Sequence, residues 1–361
     1  MWLRRSAQLR ISFVVYQVLD FFGPRLAEAG IPVVRLSRPF RLDPGLVLRI
    51  RRSLVIDAPD VVHAFLPPPC LYGYLATRAL PRNRRPVFIA GERSELRNAN
   101  SAYLWIERLV YTRSDAVTTN AESVAREIVG RVGVEPTRVH YIPNGIDLAA
   151  WDQAATEECP IDLEPGCFHV ALVGGLRREK NHHILIDALS LLGPAERAGL
   201  SVWFIGAETG GPQVAASIRE QIDRRRLQAT IRIVPPTSSI AAVMRRLDAL
   251  VLPSAFEGFP NALLEAMASS LPSIASRVGD VPNMIEDGRT GFLVSPGNAS
   301  ELAAALRRLR GLAPEDRRAI GARARDVVER QFQMEIMAAR YLALYEGLVA
   351  ARRGPRAGAG S

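Results

Sequence analysis

Lysine is almost absent from this 361-residue chain: Lys180 stands alone among 46 lysines and arginines. A sequence that builds its basic surface from arginine but keeps lysine at one position suggests a need there for a compact, mobile ammonium. Cysteine is scarce too. Cys70, Cys159 and Cys167 make an odd count with no C-x-x-C spacing, which argues against a disulfide framework and a zinc site and fits a reducing cytoplasm. No apolar run approaches the roughly 18 residues needed to span a bilayer. "ISFVVYQVL" faintly resembles a signal peptide, but Asp20, Arg25 and the strand-like continuation argue against that reading. Aromatic residues, 7% of the chain, are not interleaved with the basic ones, so a nucleic-acid stacking platform is not expected.

What is present is a globular composition, 48% hydrophobic and 23% charged, at a length that suits two domains. The charge is uneven. Residues 1–150 carry 21 arginines against 13 acidic residues, a net +8, while the remainder carries 25 basic and 24 acidic residues, a net +1. A basic first half suits an anionic acceptor or an anionic membrane surface, and an arginine-rich genome would account for the same excess.

Short apolar strands alternate with helices nearly throughout. "ISFVVY", "IPVVRL", "DVVHAF", "PVFIAGE", "DAVTTN" and "RVHYIPN" read as strands of the first half, and "FHVALVGG", "LSVWFIG", "TIRIVPP", "ALVLPS" and "LPSIAS" as strands of the second. Such runs indicate parallel sheets covered on both faces, hence an α/β chain of two doubly wound, Rossmann-like domains. The acid-rich, turn-rich stretch "IPNGIDLAAWDQAATEECPIDLEPG" marks the boundary. The expected division is 1–150, 151–332, a helix over 333–350 that packs back across the interface, and a disordered tail over 351–361.

Two stretches carry the chemistry. In "EGFPNALLE", Glu257 lies in a strand-to-helix turn and Glu265 about two turns into the helix, with Pro260 at the first helical position. Gly258 lets the backbone approach a ligand, with free amides aimed at it and carboxylates to take its hydroxyls. In "VALVGGLRREKNHHILIDAL", Gly174 and Gly175 end a strand, where open α/β sheets bind pyrophosphate, and Arg177 and Lys180 supply two cations. His63 reads as a packed residue at a strand's end and His182 and His183 as capping or solvated side chains, while Asp280, Glu286 and Asp287 are given no chemistry.

"GGLRREKN", "LPSAFEGFPNALLEAMASSLPSIAS" and "IEDGRTGFLVSPGNASELAAAL", taken in order, resemble the nucleotide-sugar half of glycosyltransferase family 4. "PDVVHAFLPPP", "SDAVTTNAESVA" and "VHYIPNGID" resemble the landmarks of its acceptor half. The resemblance covers roughly residues 10–350. It implies the GT-B fold, two Rossmann-like domains facing a cleft, and a retaining transferase that moves a sugar from a nucleoside diphosphate sugar to an acceptor hydroxyl. By position, Glu265 would take the ribose hydroxyls and Glu257 would face the donor sugar. The backbone of Gly258, Phe259, Pro260, Asn261, Ala262 and Leu263 would hold sugar hydroxyls and the distal phosphate. Lys180, helped by Arg177, would stabilise charge on the leaving diphosphate. Glu92, Arg93, Asn120 and Asn144 fall at acceptor-side landmarks. The resemblance implies no cofactor and no metal. A saccharide or lipid-linked acceptor is expected, in polysaccharide or glycolipid synthesis: the +8 of residues 1–150 suits an enzyme peripheral on the anionic inner face of the membrane, and the cysteine usage suits the cytoplasm.

Three departures stand out. Gly175 occupies the place where the family usually has arginine, and Gly91-Glu92-Arg93 replaces a frequent histidine. The family's opening strand and helix are not visible before "ISFVVYQVLDFFGPRLAEAGIPVVRL", so the first domain is expected to lack them. Two other readings stay open: a nucleotide-sugar-binding protein without turnover, and a nucleotide-sugar epimerase on the same fold.

Overall fold

The computed structural model describes residues 9–16, 22–40, 43–93 and 101–353. They form two compact units, residues 1–143 with 335–361 and residues 144–334. The division falls at Pro143/Asn144, ahead of the expected 150/151, and the first unit recovers the chain's end.

In the second unit every strand is parallel to its neighbours. β7 (Phe168–Val173), β8 (Leu200–Ile205), β9 (Ile231–Val234), β10 (Ala249–Leu252), β11 (Ser273–Ser276) and β12 (Phe292–Val294) run in the order β12-β11-β10-β7-β8-β9. β7 lies centrally, and apart from His169 its side chains are apolar on both faces, which suits a strand covered by helices on each side. One continuous core joins Val170, Leu172, Leu185, Leu189, Val202, Phe204, Ile218, Val251, Ile274 and Leu306. The order reverses between β10 and β8 on either side of β7, and ligands of such sheets sit beyond the carboxyl ends of the strands at that point.

The first unit divides its strands between two parallel sheets. β1 (Phe13–Val15) pairs with β2 (Val33–Arg35), while β3 (Val61–Phe65), β4 (Val87–Glu92), β5 (Ala116–Thr119) and β6 (Val139–Tyr141) run in sequence order. Its cores are smaller. Leu46, Ile50 and Leu54 pack with Tyr72, Ala76 and Leu80, and β4 and β5 bury Val87, Ile89 and Ala116 against Leu344, Tyr345, Leu348 and Val349 of the last helix.

That helix spans Met334–Arg353, so residues 351–353 of the expected tail are helical; the rest, 354–361, lies outside the described residues. β12 is the strand that the apolar pattern leaves unread, its Phe292–Val294 lying between Gly291 and Ser295-Pro296-Gly297. Among the described residues no helix is long and apolar enough to cross a membrane.

Candidate functional site

Two turns beyond the carboxyl ends of β7 and β10 bring the sequence-selected residues together. After β7, Gly174 takes φ +153°, and Lys180 Cε lies 3.2 Å from where a Cβ on Gly174 would stand. The glycine therefore leaves room for the lysine stem to cross the strand end. Asn181, at φ 54°, turns the chain from the single turn Arg178–Lys180 into the helix His182–Ser190.

After β10, the chain runs Pro253-Ser254-Ala255-Phe256-Glu257 into the helix Asn261–Ala268. Pro260 is the residue before that helix, one position earlier than expected, and Glu265 lies a little over one turn in rather than two. The amide of Ala255 donates to the Glu179 carbonyl at 2.9 Å, tying the two turns together. Lys180 Nζ donates to Glu257 Oε1 at 2.7 Å, with the side chains 19% and 12% exposed. An ion pair so little exposed is screened far less than a surface pair.

The run Gly258–Leu263 divides by role. Phe259 is buried edge-to-face on Phe332, and Leu263 is buried in the core, its amide donating to the Pro260 carbonyl. Both side chains are turned into the protein, and Pro260 has no N–H. The amides of Gly258, Phe259, Asn261 and Ala262 make no backbone bond among the described residues and stand where a helix start attracts anions. Glu265 has no hydrogen-bond partner for its carboxyl among the described residues, and burial pushes its pKa up to about 7. Its position suits partners supplied from outside the protein.

Other candidates are placed differently. Arg177 is half-exposed and bonded to Thr209 Oγ1 at 3.0 Å and Glu179 Oε1 at 3.1 Å. The amides around Gly175 are partly used, since Gly174 and Leu176 donate to Ile205 and Ala207. His182 is buried against Phe204 with neither ring nitrogen bonded; burial, with His183 and Lys180 nearby, lowers its pKa to about 4. The imidazole is therefore neutral and packed, which corrects its reading as a cap or a solvated group. His183 is half-buried and engages Gln221 and Ser217.

The acceptor-side candidates do not form one group. Glu92 is fully buried at the end of β4, accepting from Tyr111 Oη at 2.7 Å and from the Arg93 amide at 2.9 Å, so its carboxylate is part of the fold. The Arg93 guanidinium lies over Phe65 and donates to Tyr341 Oη at 2.9 Å. Asn120 is buried at the end of β5. Asn144 belongs to the second unit, where it donates to Asn261 Oδ1 at 2.8 Å, beside the donor turn rather than on the acceptor side. His63 is pinned between Tyr345 Oη and Thr118 Oγ1, each at 2.8 Å, and burial, with Arg93, lowers its pKa to about 3.

Sequence reading missed Ser254, Asp280 as a structural anchor, and Gly279. Ser254 is fully buried and donates to Glu257 Oε1 at 2.6 Å. Gly279, at φ +52°, packs so closely on the Glu257 carbonyl that a Cβ would overlap it, and Asp280 donates its amide to the Gly258 carbonyl at 3.0 Å. The signal for Ser254 was a hydroxyl at the end of a buried strand, three residues before the glutamate. A surface cavity of about 260 Å³ bordered by Phe168, Leu200 and Arg310 opens at the amino-terminal ends of β7 and β8, away from these turns.

Comparison with known proteins points the same way. The family described as Glycosyltransferase Family 4 matches residues 6–150, and that described as Glycosyl transferases group 1 matches residues 167–311. A D-inositol 3-phosphate glycosyltransferase of Pseudarthrobacter chlorophenolicus is 31% identical over 195 residues, 53% of this chain and 46% of the relative. A glycogen synthase of Mycobacterium tuberculosis is 31% identical over 339 residues, 92% of this chain and 75% of the relative. The chain spans about half the length of the inositol-phosphate relatives it matches. Among solved structures, a glycosyltransferase from Rickettsia africae superposes with a TM-score of 0.81 at 19% identity, covering 93% of this chain and 90% of that one. Anabaena HepE in complex with UDP-glucose gives 0.78 at 18% identity over 93% and 99%. These likenesses show the GT-B fold.

Proposed function

Since the chain belongs to glycosyltransferase family 4, we propose that it transfers a sugar from a nucleoside diphosphate sugar to an acceptor hydroxyl, with retention at the anomeric carbon. The observation that carries the reading is the Lys180–Glu257 pair, which joins the β7 and β10 turns, with Glu265, unpaired among the described residues, on the helix that follows. In this reading Glu265 takes the ribose hydroxyls and the amides of Gly258 to Ala262 hold the donor's sugar and distal phosphate. Lys180 lies nearest the departing diphosphate and stabilises its charge without a metal, which is the electrostatic part of catalysis. HepE, captured with UDP-glucose, supports a nucleotide-sugar donor.

A lipid-linked or polysaccharide acceptor at an anionic membrane face is the finer part of the proposal. Its support is the helix Pro44–Asp57, which leaves Leu48, Val55 and Ile56 exposed beside Arg51 and Arg52 and carries one acid, Asp57. Exposed apolar side chains flanked by arginines suit the boundary of an anionic bilayer.

The test is calorimetric titration of the chain with UDP, GDP and ADP and their glucose conjugates, followed by transfer assays with and without a chelator. Saturable binding of one pair and chelator-insensitive transfer are expected. No binding of any pair, or release of epimerised sugar nucleotide without acceptor, would overturn the reading. Sedimentation with phosphatidylglycerol vesicles but not phosphatidylcholine vesicles, reduced by Ile56→Asp, tests the membrane face.

A further inference from the structure

We propose that Ser254 is a positioning residue that holds Glu257 in one orientation toward the donor sugar; this rests on the nucleotide-sugar reading above. Glu257 presents two carboxylate oxygens, and the protein uses them unequally. Oε1 receives both donors within reach, Lys180 Nζ at 2.7 Å and Ser254 Oγ at 2.6 Å. Oε2 receives none among the described residues, and it is not sealed from solvent. A carboxylate offers about four lone-pair sites, so saturating one oxygen leaves the other free to accept from ligand hydroxyls.

The two donors differ in permanence. Lys180 sits on a flexible stem at the phosphate turn and is the group a diphosphate would attract most strongly. Once phosphate draws the ammonium away, Ser254 is the donor that still fixes Glu257. Ser254 is suited to that task because it is fully buried at the end of β10, with a short side chain that has few rotamers. The backbone beneath is fixed independently: the Gly258 carbonyl accepts from the Asp280 amide, and Gly279 closes on the Glu257 carbonyl. The serine hydroxyl therefore sets the side-chain angle of Glu257 rather than the path of the turn.

The consequence is a division of recognition. Nucleotide affinity depends on Glu265 and the amides, whereas the increment contributed by the sugar depends on Glu257, and so on Ser254.

The test uses the full chain, with UDP and UDP-glucose as probes and the GDP and ADP pairs alongside. Ser254→Ala is expected to leave affinity for the free diphosphate within about twofold. Affinity for the sugar conjugate is expected to fall about tenfold or more, the usual worth of a hydrogen bond to a charged group. Ser254→Thr, which keeps the hydroxyl, is expected to restore most of it. Unchanged nucleotide affinity in the alanine variant confirms that the turn is folded. Equal affinity of wild type and Ser254→Ala for the sugar conjugate would overturn the proposal, as would a parallel loss of both ligands. Failure of the wild-type chain to bind any of the nucleotides would overturn the nucleotide-sugar reading itself, and this assignment with it.

Discussion

The two units are built from the same kind of element and differ in what they leave exposed. Among the described residues, ten of the eleven exposed large hydrophobic side chains lie in the first unit, Leu191 being the exception. The first unit also contains most of the arginine excess and splits its strands into two sheets with small cores. The second is a single six-stranded sheet with one continuous core and nearly balanced charge. The second unit therefore gathers its candidate residues at the carboxyl edge of one well-packed sheet, whereas the first presents apolar and basic surface. A small diphosphate ligand needs a rigid turn with few groups in fixed places. A bulky or membrane-bound acceptor needs area and charge.

The largest expected effect bears on the second unit's site. Lys180→Ala should lower turnover by about 10²–10³-fold, the scale seen when one group stabilising transition-state charge is removed. Nucleotide affinity should fall much less, because the ammonium is needed most as the diphosphate leaves. Steady-state and binding measurements on one preparation decide this, and equal losses in both would reduce Lys180 to a binding group.

Next is Glu265. Glu265→Gln should weaken free nucleoside diphosphate binding by about ten- to hundredfold at pH 8, since ribose hydroxyls would lose a charged acceptor. Burial raises this carboxyl to about 7, so the wild-type chain should bind more weakly as pH falls through 7 and the group is neutralised. The glutamine variant should lose the part of that dependence that does not belong to the nucleotide. For stability the sign is opposite. A carboxyl with a raised folded pKa keeps its proton in the native state while the unfolded chain has lost it, so between about 4.5 and 7 stability falls as pH rises.

The first unit's cores can be weakened without touching that site. Leu46→Ala, at a fully buried position, should cost about 2–5 kcal/mol and lower the melting temperature of the first unit. Nucleotide affinity should remain as in the wild type. A loss of affinity in step with stability would erase the contrast between the units.

The smallest effect concerns His182. Its two ring nitrogens are buried without partners among the described residues, a cost of about 1–3 kcal/mol. His182→Leu should therefore raise the melting temperature of the second unit by a few degrees with nucleotide binding unchanged.

Much of this architecture was legible in the sequence because buried parallel strands are apolar on both faces, and eleven such runs fall where the strands lie. β12 escaped because its apolar run is confined to Phe292–Val294, closed in by Gly291 on one side and Ser295-Pro296-Gly297 on the other, so the stretch reads as a loop. The grouping of Lys180 with Glu257 was legible through spacing and rarity. Ser254 was not, since a serine that ends a strand looks like any turn former until its hydroxyl is found on Glu257. Asn144 was misplaced because a motif beside the boundary does not say to which unit it belongs. Glu92 was placed on the acceptor side from its position in Gly91-Glu92-Arg93, and its burial was not legible because Tyr111, which donates to it, lies 19 residues further along the chain.

The most direct test of the division is calorimetric melting of the full chain with and without a nucleoside diphosphate. Two transitions are expected, since units with separate cores need not unfold together. At a ligand concentration near a hundred times the dissociation constant, binding adds about 2.7 kcal/mol to the unit that holds it. The transition of residues 144–334 is expected to rise by about 5–10 °C while that of the first unit stays in place. A ligand that raised only the first unit's transition, or neither, would contradict it.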